Sequence, residues 1–303
     1  MEGFGMDEAS AIESHDLWDT QSLPAPRPRH LRLGAWARHH VTFLIGLSLV
    51  LVVILLALLG PFFAQYDPDN GMIETSLTAP SAAHLFGTDA NGRDMFTRVL
   101  YGARPALAVS VGCVAISLLV GSLLGLVAAY IGGIVGTLIM RLVDIVISFP
   151  YVVLVIAVLA VLGPGRLSVA VAIVAVDWTA YSRIIYGQVL SAREREYVEA
   201  CRAVGASDRR IMLRHILPNV ATPALVYATL DVSQVILLMS ALSFLGLGSQ
   251  APAADWGTMI NDGQTYIYSA WWISTFPGLI IMLTGTSFAI FGDGLADWLD
   301  RRR

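Results

Sequence analysis

Polar and apolar residues are segregated into blocks along this chain, and the apolar blocks are long. They cover about 41–63, 105–131, 136–162, 167–186, 221–245 and 272–291, separated by polar or glycine-rich stretches. Crossing a hydrocarbon layer of roughly 30 Å takes about 20 apolar residues as a helix, so each block suffices for one crossing. Helices are the expected solution because each satisfies its own backbone donors and acceptors. The alternating pattern of a membrane β-barrel is absent. The pattern therefore predicts an all-α polytopic membrane protein with six transmembrane helices. It divides into a tail over 1–40, a first helix over 41–65, a loop over 66–103, a five-helix core over 104–296 with a charged island within 191–220, and a short terminus over 297–303.

Composition narrows that picture. Of 303 residues, 56% are hydrophobic and 14% charged, too apolar for an ordinary soluble domain. All 19 basic residues are arginine. A P-loop, whose lysine contacts nucleotide phosphates, cannot be present, so any ATP the system uses is expected on another chain. Arg32, Arg38, His39 and His40 precede the first span, and Asp67, Asp69 and Glu74 follow it. The positive-inside rule then places the N-terminus in the cytoplasm. The arginines over 183–214 and 301–303 fall on that same side, with Arg93, Arg98 and Arg104 as exceptions outside. The first 40 residues read as an uncleaved cytoplasmic tail, disordered by composition or carrying a short surface helix over 31–38.

Enzyme signatures are missing: there is no HExxH and no GxSxG. The six histidines lack a metal-ligand spacing, and Cys113 and Cys201 should lie too far apart to pair. No catalytic residue, cofactor, metal site or nucleic-acid partner is expected. A secondary transporter, the rival class, should show two corresponding halves, and no internal repeat is visible.

Charges inside apolar spans are costly in lipid, so they should face protein or a watery path. Arg141 and Asp144 on the third span sit at i and i+3 and can neutralise each other. Asp177 on the fourth and Asp231 on the fifth are expected to pair within the protein or to line the path, where they would meet a substrate's amino group. In the loop reading HLFGTDANGRDMFTRVLYG, Asp89, Arg93, Asp94 and Arg98 are expected to form salt bridges that hold it down; a direct substrate site is the alternative. Gly121, Gly125, Gly132 and Gly136 have the small-xxx-small spacing that permits close helix approach.

The island reads EACRAVGASDRRIMLRHILP from Glu199 to Pro218. Its spacing predicts a helix, a break at Gly205, a second helix and a proline. Tyr197, Ala200, Cys201 and Val204 fall at i, i+3, i+4 and i+7, a small apolar face of the kind that inserts into a partner's groove. Gly205 suits the C′ position, and Ser207 or Asp208 could cap the second helix.

This stretch resembles the EAA loop of permease subunits of bacterial ABC importers: Glu-Ala-Ala, three residues, Gly, nine residues, Ile-x-Leu-Pro. Glu199, Ala200, Gly205, Leu217 and Pro218 match; Cys201 replaces the second alanine and His215 the isoleucine. HLFGTDANGRD, RVLYGARPALAVSVG, REREYVEACRAVGASD, LSFLGLG and FGDGLADWLDRR are similar to the second permease subunit (DppC/OppC type) of dipeptide and oligopeptide importers. The resemblance covers roughly residues 38 to 303.

It implies a type I (MetI-like) permease fold in a bacterial inner membrane, with both termini cytoplasmic. It also implies half of a translocation path for di- or oligopeptides. The implied partners are a second permease subunit (DppB/OppB type) in a heterodimer, two cytoplasmic ATPase subunits carrying ATP and magnesium, an extracytoplasmic substrate-binding protein, and the lipid bilayer. The coupling residues it implies are Tyr197, Glu199, Ala200, Cys201, Val204, Gly205, Ala206, Ser207, Leu217 and Pro218. Nickel chelates and glutathione remain open as cargo.

Overall fold

A computed structural model describes residues 41–300; the tail expected over 1–40 lies outside the described residues. The described chain is helical: α1 (Val41–Phe63), α2 (Met95–Ile131), α3 (Gly133–Ile147), α4 (Tyr151–Leu162), α5 (Arg166–Ala192), α6 (Glu196–Ala203), α7 (Asp208–Arg210), a π-helical turn (Ile211–Ile216), α8 (Leu217–Val220), α9 (Thr222–Phe244), α10 (Trp256–Gln264) and α11 (Trp272–Asp300). α1, α2, α5, α9 and α11 are each long and apolar enough to cross a membrane.

Two expectations need correction. The second span starts at Met95 rather than at 105, so the end of the expected loop is helix. Asp94 accepts a hydrogen bond from the Thr97 backbone N–H at 2.8 Å, an N-cap that starts the helix inside polar sequence. The third span is not one helix: α3 and α4 meet at 93°. Pro150 is the cause, since it lacks an N–H and pushes Phe149 out of helical conformation. The broken pair nevertheless traverses the bundle. It leaves α2 at the end that holds the island and returns at Gly165 and Arg166, which bond Leu247 O and Ser249 Oγ, each at 3.0 Å, at the opposite end.

α2 and α5 form the centre. A Cβ at Gly121 would collide with Trp178 O and one at Gly125 with Ser182 O, so the glycines set how closely these helices approach. Ser182 Oγ donates to Gly121 O at 3.0 Å across the contact. α1 packs on α11, where Gly46 and Gly294 lie against the backbone of Phe291 and Phe43. Phe43 also stacks on Trp298 at 5.7 Å. α1 is tied to α2 by Arg104, whose guanidinium donates to Ala57 O at 2.9 Å and Leu58 O at 2.7 Å. Pro61, inside α1, removes the N–H that Ala57 O would otherwise accept; Arg104 replaces it.

Candidate coupling loop and intramembrane charges

The island is built on a buried base. α6 is only eight residues long, and its side chain at Val198 is fully buried, as are Ile211 and Ile216 in the π-helical turn. The turn's Leu217 N–H reaches back five residues to Met212 O. A helix running into Pro218 lacks one donor, and a wider turn accommodates the loss. Leu217 and Pro218 open α8, which leads into α9.

Gly205 ends α6. Its φ of +78° lies in the left-handed region, with no atom within 4 Å of an added Cβ, so the constraint there is conformational and not spatial. Gly205 N–H bonds Arg202 O at 3.0 Å and Ala206 N–H bonds Cys201 O at 3.0 Å. These two bonds form a Schellman motif with glycine at C′. Cys201 and Ala206, brought together by that turn, both pack on the core.

The phase of the expected apolar face is corrected. Tyr197 and Cys201 are half-buried with Val198, but Ala200 is exposed and Val204 is 84% exposed. The inward side of so short a helix is fixed by what it rests on, and periodicity alone does not say which side that is. The outward edge is Glu199, Ala200, Ala203 and Val204, with exposed Ser207 beyond Gly205. Ser207 occupies the cap position of α7 with no side-chain cap. Asp208 does not cap either: its Oδ1 accepts from Tyr130 OH at 2.6 Å, while Arg202 lies 5.7 Å from the Tyr130 ring centroid. Arg193 Nη1 donates to Ala129 O at 2.7 Å. The sequence reading assigned no role to Tyr130, Arg193, Val198, Ile211 or Ile216. The end of α2 thus clamps both sides of the loop.

Among the intramembrane charges, Asp144 pairs with Arg183 on α5 at 2.7 Å, not with Arg141 along its own helix. Asp177 and Asp231 are 4% and 3% exposed inside the bundle, so within this chain they face protein and not an opening. Tyr181 OH donates to Asp231 Oδ2 at 2.7 Å. Asp177 Oδ2 and Ser117 Oγ meet no partner of good hydrogen-bond geometry among the described residues.

At the opposite end, Asp89 accepts from Arg93 Nε at 2.6 Å and lies 3.8 Å from Arg98 Nε. Arg98, 2% exposed, donates to Pro68 O at 2.6 Å and Pro252 O at 3.2 Å, fastening the 66–94 loop to the segment before α10. Asp94, besides capping α2, meets His84 Nδ1 at 2.9 Å. Burial pushes the Asp262 carboxyl above its ordinary range, and Arg93 and Arg98 oppose that shift. Trp256 and Trp272 donate to Val99 O at 2.9 Å and Thr88 O at 3.0 Å.

The described residues form a multi-span helical bundle with a charged, exposed loop on a buried base at one end. The family described as binding-protein-dependent transport system inner membrane component matches residues 121–303, and the N-terminal TM domain of oligopeptide transport permease C matches residues 37–81. The chain belongs to this family of transport-system inner membrane components. It is 42% identical over 268 residues to the di/tripeptide transport system permease protein DppC of Pseudomonas aeruginosa, covering 86% of this chain and 88% of that one. It is 40% identical over 252 residues to the probable D,D-dipeptide transport system permease protein DdpC of Escherichia coli K12, covering 83% and 85%. It is 38% identical over 286 residues to the glutathione transport system permease protein GsiD of Pectobacterium atrosepticum, covering 92% and 95%. Among solved structures, a chain of the inward-facing MetNI methionine ABC transporter superposes with a TM-score of 0.52 at 19% identity, covering 66% of this chain and 94% of that one. That likeness gives the fold: a type I, MetI-like permease.

Proposed function

We propose that this chain is one of two permease subunits of an ATP-driven importer of di- or oligopeptides in a bacterial inner membrane. Its island docks into a cytoplasmic ATPase subunit, and a second permease subunit completes the path. An extracytoplasmic binding protein delivers the cargo, and ATP and magnesium belong to two ATPase partners. The observation that carries the coupling role is the outward edge of α6: Glu199, Ala200 and the 84% exposed Val204 on a base whose Val198, Ile211 and Ile216 are fully buried. Such a surface suits force transmission because its support is packed into the core. Shifting a two-state equilibrium from 1:99 to 99:1 takes about 5.5 kcal/mol. Fully burying one large apolar side chain supplies roughly 1.5–3 kcal/mol, so a few docked side chains suffice. Peptide cargo is supported by the names of the relatives, and the arginine distribution supports a cytoplasmic island.

The test is uptake of a labelled dipeptide by proteoliposomes holding both permeases, both ATPases and the binding protein, with glutathione run in parallel. Glu199→Ala is expected to leave the chain in the membrane and to abolish ATP-driven uptake. Full uptake by that variant would refute the docking role, and preferential uptake of glutathione would replace the peptide reading.

A further inference from the structure

Thr137, Arg141 and Asp144 along α3 and Ser148 at its C-cap recur at spacings of four, three and four, so they share one face of an otherwise apolar helix. Thr137 and Ser148 satisfy their hydroxyls on Gly133 O at 2.8 Å and Ile145 O at 2.7 Å within the helix. The charged members do not turn inward in that way. Asp144 and Arg183 meet at 2.7 Å with side chains 49% and 54% exposed. Arg141 is exposed and makes no ion pair among the described residues. Beside them lies a cleft of about 260 Å³ whose walls include Gly136, Thr137, Met140, Arg141, Asp144 and Tyr186. A charged stripe is costly in lipid, so this face turns to protein or to a watery path. Arg141 and Asp144 line that cleft, and Arg183 is joined to it through its ion pair with Asp144, whereas Asp177 and Asp231 are shut inside the bundle.

We propose that Arg141, Asp144 and Arg183 form a subsite for the zwitterionic main chain of the cargo. The planar guanidiniums take its carboxylate, for which their fork geometry is matched, and Asp144 takes its ammonium group. A half-exposed ion pair is held weakly, so cargo can replace each partner by an equivalent one as it passes. The subsite rests on the peptide-import reading above and adds to it the residues that read the ends of the peptide.

The experiment uses the complete transporter in proteoliposomes and three forms of one dipeptide: free, N-acetylated and C-amidated. Each variant's uptake is expressed as a ratio to wild type on the same form, so the selectivity of the binding protein cancels. The double variant Arg141→Gln/Arg183→Gln is expected to lower uptake of the free and N-acetylated forms at least 10-fold and of the C-amidated form less than 2-fold. Asp144→Asn should lower uptake of the free and C-amidated forms and spare the N-acetylated form. The conservative Arg183→Lys, which keeps the ion pair, should retain the wild-type ranking of the three forms. Equal loss on all forms would overturn the subsite, as would full uptake of every form by the charge-exchanged Asp144→Arg/Arg183→Asp; either result makes the pair purely structural. A wild-type transporter that imports none of the three overturns the peptide reading itself, a result distinct from any variant's.

Discussion

Glycine at 205 is required for the sign of its φ, and this separates two explanations of any loss of coupling. Placing an L-residue in the left-handed region costs roughly 1–2 kcal/mol, and the space around Gly205 is open. Alanine and valine at 205 are therefore expected to impair ATP-driven uptake while leaving the amount of chain in the membrane unchanged; a loss that grew with side-chain size would point instead to a steric cause. Tyr181 bears on stability. Its hydroxyl is the donor to the buried Asp231 carboxylate, and leaving a buried acceptor without its donor costs about 1–3 kcal/mol. Tyr181→Phe should lower the thermal unfolding midpoint of the detergent-purified protein, and an unchanged midpoint would show that Asp231 finds another donor.

At the scale of elements, the joint between α1 and α2 rests on a reciprocal arrangement: Pro61 frees a carbonyl and Arg104 caps it. Arg104→Met keeps an unbranched apolar stem and removes both donors, so it should destabilise by about 1–3 kcal/mol, read as earlier dissociation of α1 in limited proteolysis. Gly121→Val places a side chain against Trp178 O and should prevent α2 and α5 from closing, with loss of folded protein. The α2–α5 glycines and the positions of the long helices were legible in the sequence, because hydropathy and small-residue spacing are local. The start of α2 was not: Thr97 and Arg98 are polar yet buried, so a hydropathy boundary falls too late. Nor was the partner of Asp144, which lies 39 residues away, since i, i+3 spacing favours the nearer Arg141 only when the helix is viewed alone. The helix, glycine break and proline of the 199–218 island were readable, whereas the side of α6 that faces outward depends on Val198 and on what lies beneath it.

For the whole molecule, sidedness is a matter of parity. The α3–α4 pair bends by 93° and still joins opposite ends of the bundle, so it counts as one crossing and the described residues make six. The stacking of Phe43 on Trp298 brings the beginning of α1 and the end of α11 to the same face. Reporter fusions placed before residue 41 and after residue 303 are therefore expected to report the same compartment, the cytoplasm in the proposed orientation; opposite readings would mean that the bent pair does not cross. That right-angled turn at Pro150 also decides what truncation does. A chain begun after Phe63 keeps three crossings before the island, an odd number, so its new N-terminus and the island can no longer share a compartment. Removing the first helix would thus move one end of the protein across the membrane without touching the loop proposed to dock the ATPase.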